Sequence, residues 1–268
     1  MNPDCRDMPP ACFPTVQSKS DMNRKEIFSV ISNRRLTART MLLKAAGATG
    51  AITAPGQFVN IAVDGKYLRR PISLFDYDDD SITLLYDVVG DGTEWLATRR
   101  PGDPLDILTG LGNGFQPAPE SRRPLLLGGG VGIAPMFGLA RRLRAEGKDV
   151  TVVMGYNTAA DVAAEKLFAD EGFDTYVATV DGSRGAKGFV TDAITANGLD
   201  GDYFYACGPL PMMRALCSAL DLPGQLSLDQ RMACGFGACM CCSLQTRSGD
   251  KRICKDGPIF FKEDLIWK

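Results

Sequence analysis

Four cysteines near the C-terminus limit what this chain can become more than any other feature. Cys234, Cys239, Cys242 and Cys254 stand with four, two and eleven residues between them. A C-x4-C-x2-C triplet with a distant fourth cysteine is the plant-type spacing of a [2Fe–2S] cluster. Three thiolates from one short loop must wrap two irons without the backbone striking the inorganic sulfides. Gly235, Gly237 and Ala238 suit that demand, since small residues let backbone N–H groups approach sulfur. A structural zinc ion also takes four cysteines, but zinc sites more often use two C-x2-4-C pairs than three clustered ligands and one apart. Cys241 would break the two-residue gap and reads as a bystander.

At 268 residues the chain can form two compact domains and a small module. Its net charge of −2 gives no reason to expect nucleic acid or an anionic membrane as a partner. No apolar run approaches the ~20 residues that span a bilayer, and no signal-peptide pattern opens the chain. The remaining cysteines, Cys5, Cys12, Cys207, Cys217 and Cys241, follow no disulfide framework, which points to the reducing cytoplasm. Histidine is absent from the sequence, so imidazole acid–base chemistry is excluded and cofactors must carry the reaction.

Four segments follow in order. Residues 1–24, with Pro3, Pro9, Pro10 and Pro14, read as a flexible tail. Residues 25–119 hold short β-like runs and suggest a small barrel or sandwich. Ile82, Leu84, Tyr86 and Val88 alternate with Thr83, Leu85, Asp87 and Val89 as on a two-faced strand. Arg70-Pro71-Ile72-Ser73 reads as a strand end or edge, because proline denies the ladder a donor; an arginine beside a hydroxyl there could clamp phosphate and flavin-ring polar atoms. Gly90 to Thr93 reads as a tight turn whose N–H groups could hold a pyrophosphate. Gly110 to Phe115 reads as a flexible loop, near a ligand or simply joining domains.

Residues 120–224 alternate strands and helices, implying a parallel sheet with helices on both faces. Gly128 to Pro135 is a strand running into a glycine turn and helix. Arg141, Arg142 and Arg144 fall on the outward side of that helix, as a solvated face. A further helix is expected over residues 159–172. Ligands of such sheets sit at strand C-terminal ends, where Gly129, Gly130 and Gly132, Asp181 to Ser183, and Cys207-Gly208-Pro209 all fall. Met212 and Met213 read as packing. Residues 225–268 form the cysteine module.

Together these motifs resemble the ferredoxin–NADP reductase superfamily, and within it the electron-transfer subunits of class B dihydroorotate dehydrogenases, from about residue 25 to 260. Arg70-Pro-Ile-Ser73 is similar to that family's flavin-site motif. Leu85-Tyr86-Asp87 and Gly92-Thr93 fall where it has further FAD-contacting segments. Leu111 to Phe115, Gly128 to Pro135, Asp181 to Ser183, Cys207 to Pro209, the cysteine loop and Cys254-x-Asp-Gly-Pro258 follow in the family's order. Three departures stand out: acidic Asp87 where a basic residue is frequent, Thr109-Gly110 before Leu111, and a short Cys242-to-Cys254 interval.

The resemblance implies an antiparallel β-barrel that binds FAD, a doubly wound parallel-sheet domain that binds NAD as co-substrate, and a small C-terminal [2Fe–2S] module. A flavin between nicotinamide and cluster would exchange electrons in pairs on one side and singly on the other. The implied partner is an FMN-containing dihydroorotate dehydrogenase catalytic subunit of pyrimidine (UMP) biosynthesis. The implied assembly is a heterotetramer of two heterodimers, with the cluster module at the contact between unlike subunits. Gly155 to Ala160 lacks an arginine for a 2′-phosphate, favouring NAD over NADP, while Arg184 nearby keeps NADP open. Two other readings stand beside this one: an NAD(P)H–ferredoxin oxidoreductase or hydrogenase-associated subunit, and a non-catalytic zinc-stabilised interaction module.

Overall fold

The structure is a computed structural model and describes residues 23–267. Most of the expected 1–24 tail, with Cys5 and Cys12, lies outside the described residues; Arg24 already opens the first strand.

Strands β1 (Arg24–Arg35), β2 (Thr40–Ala46), β3 (Phe58–Ile61), β4 (Arg70–Tyr77), β5 (Ser81–Asp87) and β6 (Pro104–Leu111) form a closed barrel in the order β1-β2-β5-β4-β3-β6. Every neighbouring pair is antiparallel, and β6 returns to β1 to abolish the sheet edge. Phe28, Leu43, Val59, Ile61, Ile82, Leu84 and Tyr86 fill the interior. Leu85, on the other face of β5, is equally buried, because a second domain packs there. Pro71 is therefore not on an edge. It stands second in β4 opposite Asn60, at a strand start that tolerates its missing donor.

Gly90 to Thr93 is not a free turn but the entry to helix α1 (Asp91–Ala97). The Thr93 hydroxyl accepts from the N–H groups of Val89 and Gly90, at 2.8 and 3.3 Å, and donates back to the Gly90 carbonyl. That closure satisfies donors the helix leaves free and offsets the poor helix propensity of Gly92.

The second domain runs β7 (Pro124–Gly129), α2 (Ala134–Ala145), β8 (Thr151–Tyr156), α3 (Glu165–Asp170), β9 (Asp174–Thr179), β10 (Ala186–Lys187), α4 (Val190–Ala196), β11 (Tyr203–Cys207), α5 (Leu210–Ala219) and β12 (Gly224–Ser227). These strands are parallel where they pair. The helix expected over residues 159–172 is broken into a 3-10 turn, an extended Val162 and the short α3. Thr158 and Asp161 cap the start of that turn, the Asp161 carboxylate accepting from the Thr158 N–H and hydroxyl at 3.2 and 3.0 Å, and the extended backbone of Val162 ends it.

After the cysteine loop come β13 (Ser243–Thr246), β14 (Gly249–Arg252), α6 (Ile253–Asp256) and β15 (Ile259–Phe261). The β13–β14 hairpin accounts for the short interval between the last two cysteines: Ser243 pairs with Arg252, bringing the chain back beside Cys242. Strand β15 lies antiparallel on β12, so the seven-stranded sheet runs β10-β9-β8-β7-β11-β12-β15.

Aromatic packing welds the barrel to the sheet domain. Phe75 of β4 stacks on Phe137 of α2 with centroids 4.2 Å apart, and Phe137 meets Phe168 edge-on at 5.0 Å. Arg141, expected to face only solvent, pairs with Asp76 of the barrel. Arg144 lies over the Phe173 ring at 4.2 Å. The helical period put both outward; the barrel and the α3–β9 turn reach that face.

The loop after β6 is a clasp. Asn113 Nδ2 donates to the carbonyls of Asp256 and Ile259 at 3.2 and 2.8 Å, while Oδ1 accepts from the Ile259 N–H at 3.1 Å. Asn113→Ala deletes these three bonds, at about 1 kcal/mol each. Its thermal midpoint is expected to fall by about 6–12 °C. An unchanged midpoint in a melting scan contradicts this role.

Candidate functional site

Between the barrel, the C-terminal ends of the parallel strands and the cysteine module lies a cavity of about 990 Å³. Every flavin- and nicotinamide-site residue expected from the sequence borders it except Gly92 and the Asp181-to-Ser183 turn, whose Ser183 hydroxyl instead accepts from the Ala159 N–H at 2.7 Å and donates to Asp181 at 2.6 Å. The barrel supplies Arg70, Pro71, Ile72 and Ser73 at the start of β4, Leu85, Tyr86 and Asp87 at the end of β5, and Thr93 of α1. The sheet domain supplies Gly129, Gly130 and Gly132 after β7 and Cys207, Gly208 and Pro209 after β11. Ser227, Leu228, Met232 and Pro258 close the third side.

Gly92 works one step back. A Cβ there would come within 2.2 Å of Arg70 Nε, so its bareness makes room for the Arg70 guanidinium. Gly132 does the same for the sheet: a Cβ would meet the Cys207 carbonyl oxygen at 2.5 Å, so only glycine lets the two turns touch. The Tyr86 ring belongs to the barrel core, and its hydroxyl donates to Asn33 Oδ1 at 3.2 Å. Burial pushes that phenol up to about 12 and the Cys207 thiol likewise to about 12, so both are neutral.

Asp87 carries the most informative departure. Its carboxylate accepts from Arg39 Nε at 2.9 Å and from the Thr40 hydroxyl at 2.7 Å. Arg39 also borders the cavity, so a basic group is present after all, supplied from the turn just before β2 and steered by the acid. Sequence reasoning missed Arg39. The signal is non-local: Thr40 and Asp87 are register partners at the two strand ends, a pairing that only the fold reveals. The Gly110 to Phe115 loop, by contrast, borders no part of the cavity and serves as the clasp.

Arg184 also resolves. Both its Nε and Nη2 donate to Glu165, at 3.1 and 2.9 Å, and it borders a separate cavity with Glu165. On the sheet-domain side, the cavity has Asp161 and no arginine or lysine among its lining residues. A 2′-phosphate would meet no cation there, in keeping with NAD.

The cysteine sulfurs fall into two pairs. Cys234 and Cys239 Sγ are 3.4 Å apart, and the Cys254 N–H and thiol both lie on Cys242 Sγ, the N–H at 3.4 Å. Two thiolates on one tetrahedral metal at about 2.3 Å sit about 3.8 Å apart, so each pair suits one metal. Among the described residues no three such side chains converge as a single-ion site. Two pairs fit a two-iron cluster better than one zinc ion. Partial burial works to raise the Cys234 pKa, yet N–H donors from Cys239, Phe236 and Ala238 bring it down to about 6. Burial, then the Cys242 and Cys234 sulfurs, push Cys254 up to about 12. Cys241 stands outside both pairs, exposed, with its thiol on the Arg231 carbonyl.

This fold and site define an iron–sulfur flavoprotein oxidoreductase with a ferredoxin-reductase-like architecture. Family models agree: an oxidoreductase NAD-binding domain matches residues 126–218, and the iron–sulfur cluster binding domain of dihydroorotate dehydrogenase B matches residues 229–266. The dihydroorotate dehydrogenase B (NAD(+)) electron transfer subunit of Bacillus caldolyticus is 43% identical over 254 residues, 90% of this chain and 98% of that one. Its Fusobacterium nucleatum counterpart is 40% identical over 79% of this chain and 86% of that one. Among solved structures, an NADH-dependent reduced ferredoxin-NADP oxidoreductase superposes with TM-score 0.81 and 28% identity over 90% of both chains. Phthalate dioxygenase reductase shares the fold at TM-score 0.59 and 20% identity, over 72% of this chain and 63% of that one.

The chain belongs to the family of dihydroorotate dehydrogenase B electron transfer subunits. It is an NAD-linked electron-transfer oxidoreductase whose cofactors are FAD and a [2Fe–2S] cluster. No helix among the described residues is long and apolar enough to cross a membrane.

Arg39→Ala removes one of two arginines bordering the cavity and is expected to weaken FAD retention roughly tenfold or more. Flavin fluorescence released on dilution measures it. Normal retention would reduce Arg39 to a strand clasp.

Proposed function

We propose that this chain receives electrons from an FMN-containing dihydroorotate dehydrogenase subunit and delivers them to NAD+ in pyrimidine (UMP) biosynthesis. When bound, the cofactors supply the exchange between single electrons, at the cluster, and electron pairs, at flavin and nicotinamide. The balance closes: dihydroorotate gives up two electrons and two protons, NAD+ takes two electrons and one proton, and one proton goes to solvent.

One observation carries this reading. A single cavity is bordered by the Arg70-to-Ser73 strand, by the glycine and Cys207-Gly208-Pro209 turns, and by Ser227, Met232 and Pro258 of the segment that holds the cysteines. In this reading Arg70 and Ser73 bind and orient FAD on the barrel, and Thr93, its hydroxyl committed to the start of α1, holds the turn beside them. Gly129, Gly130, Gly132 and the Cys207 turn admit the nicotinamide nucleotide from the sheet side. Cys234 with Cys239, and Cys242 with Cys254, hold the cluster. Neutral Cys207 and the apolar wall around it keep water from the reacting face.

The names of the relatives support a catalytic partner subunit, and the family favours dihydroorotate dehydrogenase over a ferredoxin or hydrogenase partner. Phe236 and Met240 of the cysteine loop are 46% and 63% exposed, which supports docking of the partner at the cluster module. A heterotetramer of two heterodimers in the cytoplasm completes the proposal.

Co-purification from the native cell tests the partner: an FMN protein that oxidises dihydroorotate should accompany the chain, and its absence counts against the pathway. Cys239→Ser should retain FAD and NADH–flavin exchange. Coupled dihydroorotate-to-NAD+ turnover should fall by more than about 100-fold, beyond the 10–100-fold typical of outer-shell changes. Unchanged coupled turnover refutes Cys239 as a ligand.

A further inference from the structure

Asn60 is a polar side chain in a place built for an apolar one. It lies on β3, is 1% exposed, and pairs across the barrel wall with Pro71 on one side and Leu108 on the other. Its Nδ2 donates to the backbone carbonyl of Cys234 at 3.1 Å. Its Oδ1 has no hydrogen-bond partner among the described residues. Reversing the amide would aim oxygen at oxygen, so this orientation is the one the site permits. An orphaned buried acceptor is destabilising, and a leucine of similar volume would avoid it.

The neighbours show what the amide does. Pro71 and Phe58, flanking Asn60 across and along the sheet, both border the cofactor cavity. Cys234 begins the cysteine loop on the other side. Gly235, with φ +74°, would carry a Cβ only 2.3 Å from Asn60 Nδ2, so the loop closes directly over this amide. Arg69 Nη1 donates to the Asn60 carbonyl at 3.3 Å and to that of Asp106 at 3.0 Å, bracing β3 against β6 behind it. Asn60 is thus a direct hydrogen-bonded bridge from a strand at the cavity wall to the loop that carries the paired sulfurs.

We propose that Asn60 is a positioning residue for electron transfer, which fixes Cys234 against the flavin-bearing wall and raises the cluster's reduction potential. The inference rests on Cys234 being a cluster ligand. A donor on the carbonyl of a ligand residue draws electron density from it and polarises the adjoining peptide, favouring the more negative, reduced cluster. The same bond sets how far the loop stands from β3. Outer-shell donors of this kind orient ligands and tune the metal they hold.

Asn60→Leu keeps the volume and deletes both the donor and the orphaned acceptor; Asn60→Ala deletes the volume too and is read beside it. The holoprotein is titrated anaerobically, following the reduced cluster by electron paramagnetic resonance and the flavin by absorbance. Both variants are expected to shift the flavin–cluster electron distribution toward flavin about tenfold, equivalent to ~59 mV for one electron. The flavin potential and the rate of flavin reduction by NADH should stay at wild-type values. The thermal midpoint of Asn60→Leu should not fall, since a purely structural amide would leave its mark there instead. A wild-type cluster potential in both variants overturns the proposal, as does an equal shift of both cofactors. If the wild-type protein itself gives no [2Fe–2S] signal, the ligand assignment fails and this inference falls with it, an outcome distinct from a normal signal that ignores Asn60.

Discussion

Everything on the cysteine side of the molecule depends on β15 lying antiparallel on β12. Residues 228–258 leave the sheet at the end of one strand and rejoin it at the start of the other, so the cysteine loop is tied at both ends. Asn113 then bonds the return point to the barrel. A loop tied at both ends and clasped from a third side loses far less freedom when it closes round a metal than a free one would. Electron transfer needs such rigidity, because the cysteine loop and the cavity wall must keep one spacing through every turnover.

The electrostatics follow from the absence of histidine. With no imidazole in the chain, the charged side chains at the cavity are arginines and carboxylates. Arg39 and Arg70 bring positive charge to the barrel wall, where an anionic dinucleotide would lie. Asp87 steers the first and Gly92 makes room for the second. Arg184, the arginine that had kept NADP open, is paired with Glu165.

Much of this was legible before any coordinates. Cysteine spacing is a chemical constraint: it singled out four cysteines as three clustered and one apart, whereas the fold sets their sulfurs as two pairs. The glycine turn, the Arg70-to-Ser73 strand and the Cys207 turn are local motifs, and they converge on one cavity. What stayed hidden was non-local. Arg39 is recognisable only through the β2–β5 register, and Arg141 faces outward by helical period until the barrel packs beside it. Two glycines made residues 90–93 look like a turn, whereas Thr93 closes them into a helix. Asn60 carried no motif at all; its meaning lies in Cys234, distant in sequence and adjacent only after folding.

The central claim is that one polypeptide holds a pair-accepting and a single-electron centre together. Anaerobic reductive titration of the purified, folded chain tests it most directly, with absorbance read against electrons added. The account predicts roughly three electron equivalents per chain, two for the flavin and one for the cluster. A colourless protein that carries zinc and takes up none, even after reconstitution with iron, sulfide and FAD, would contradict it.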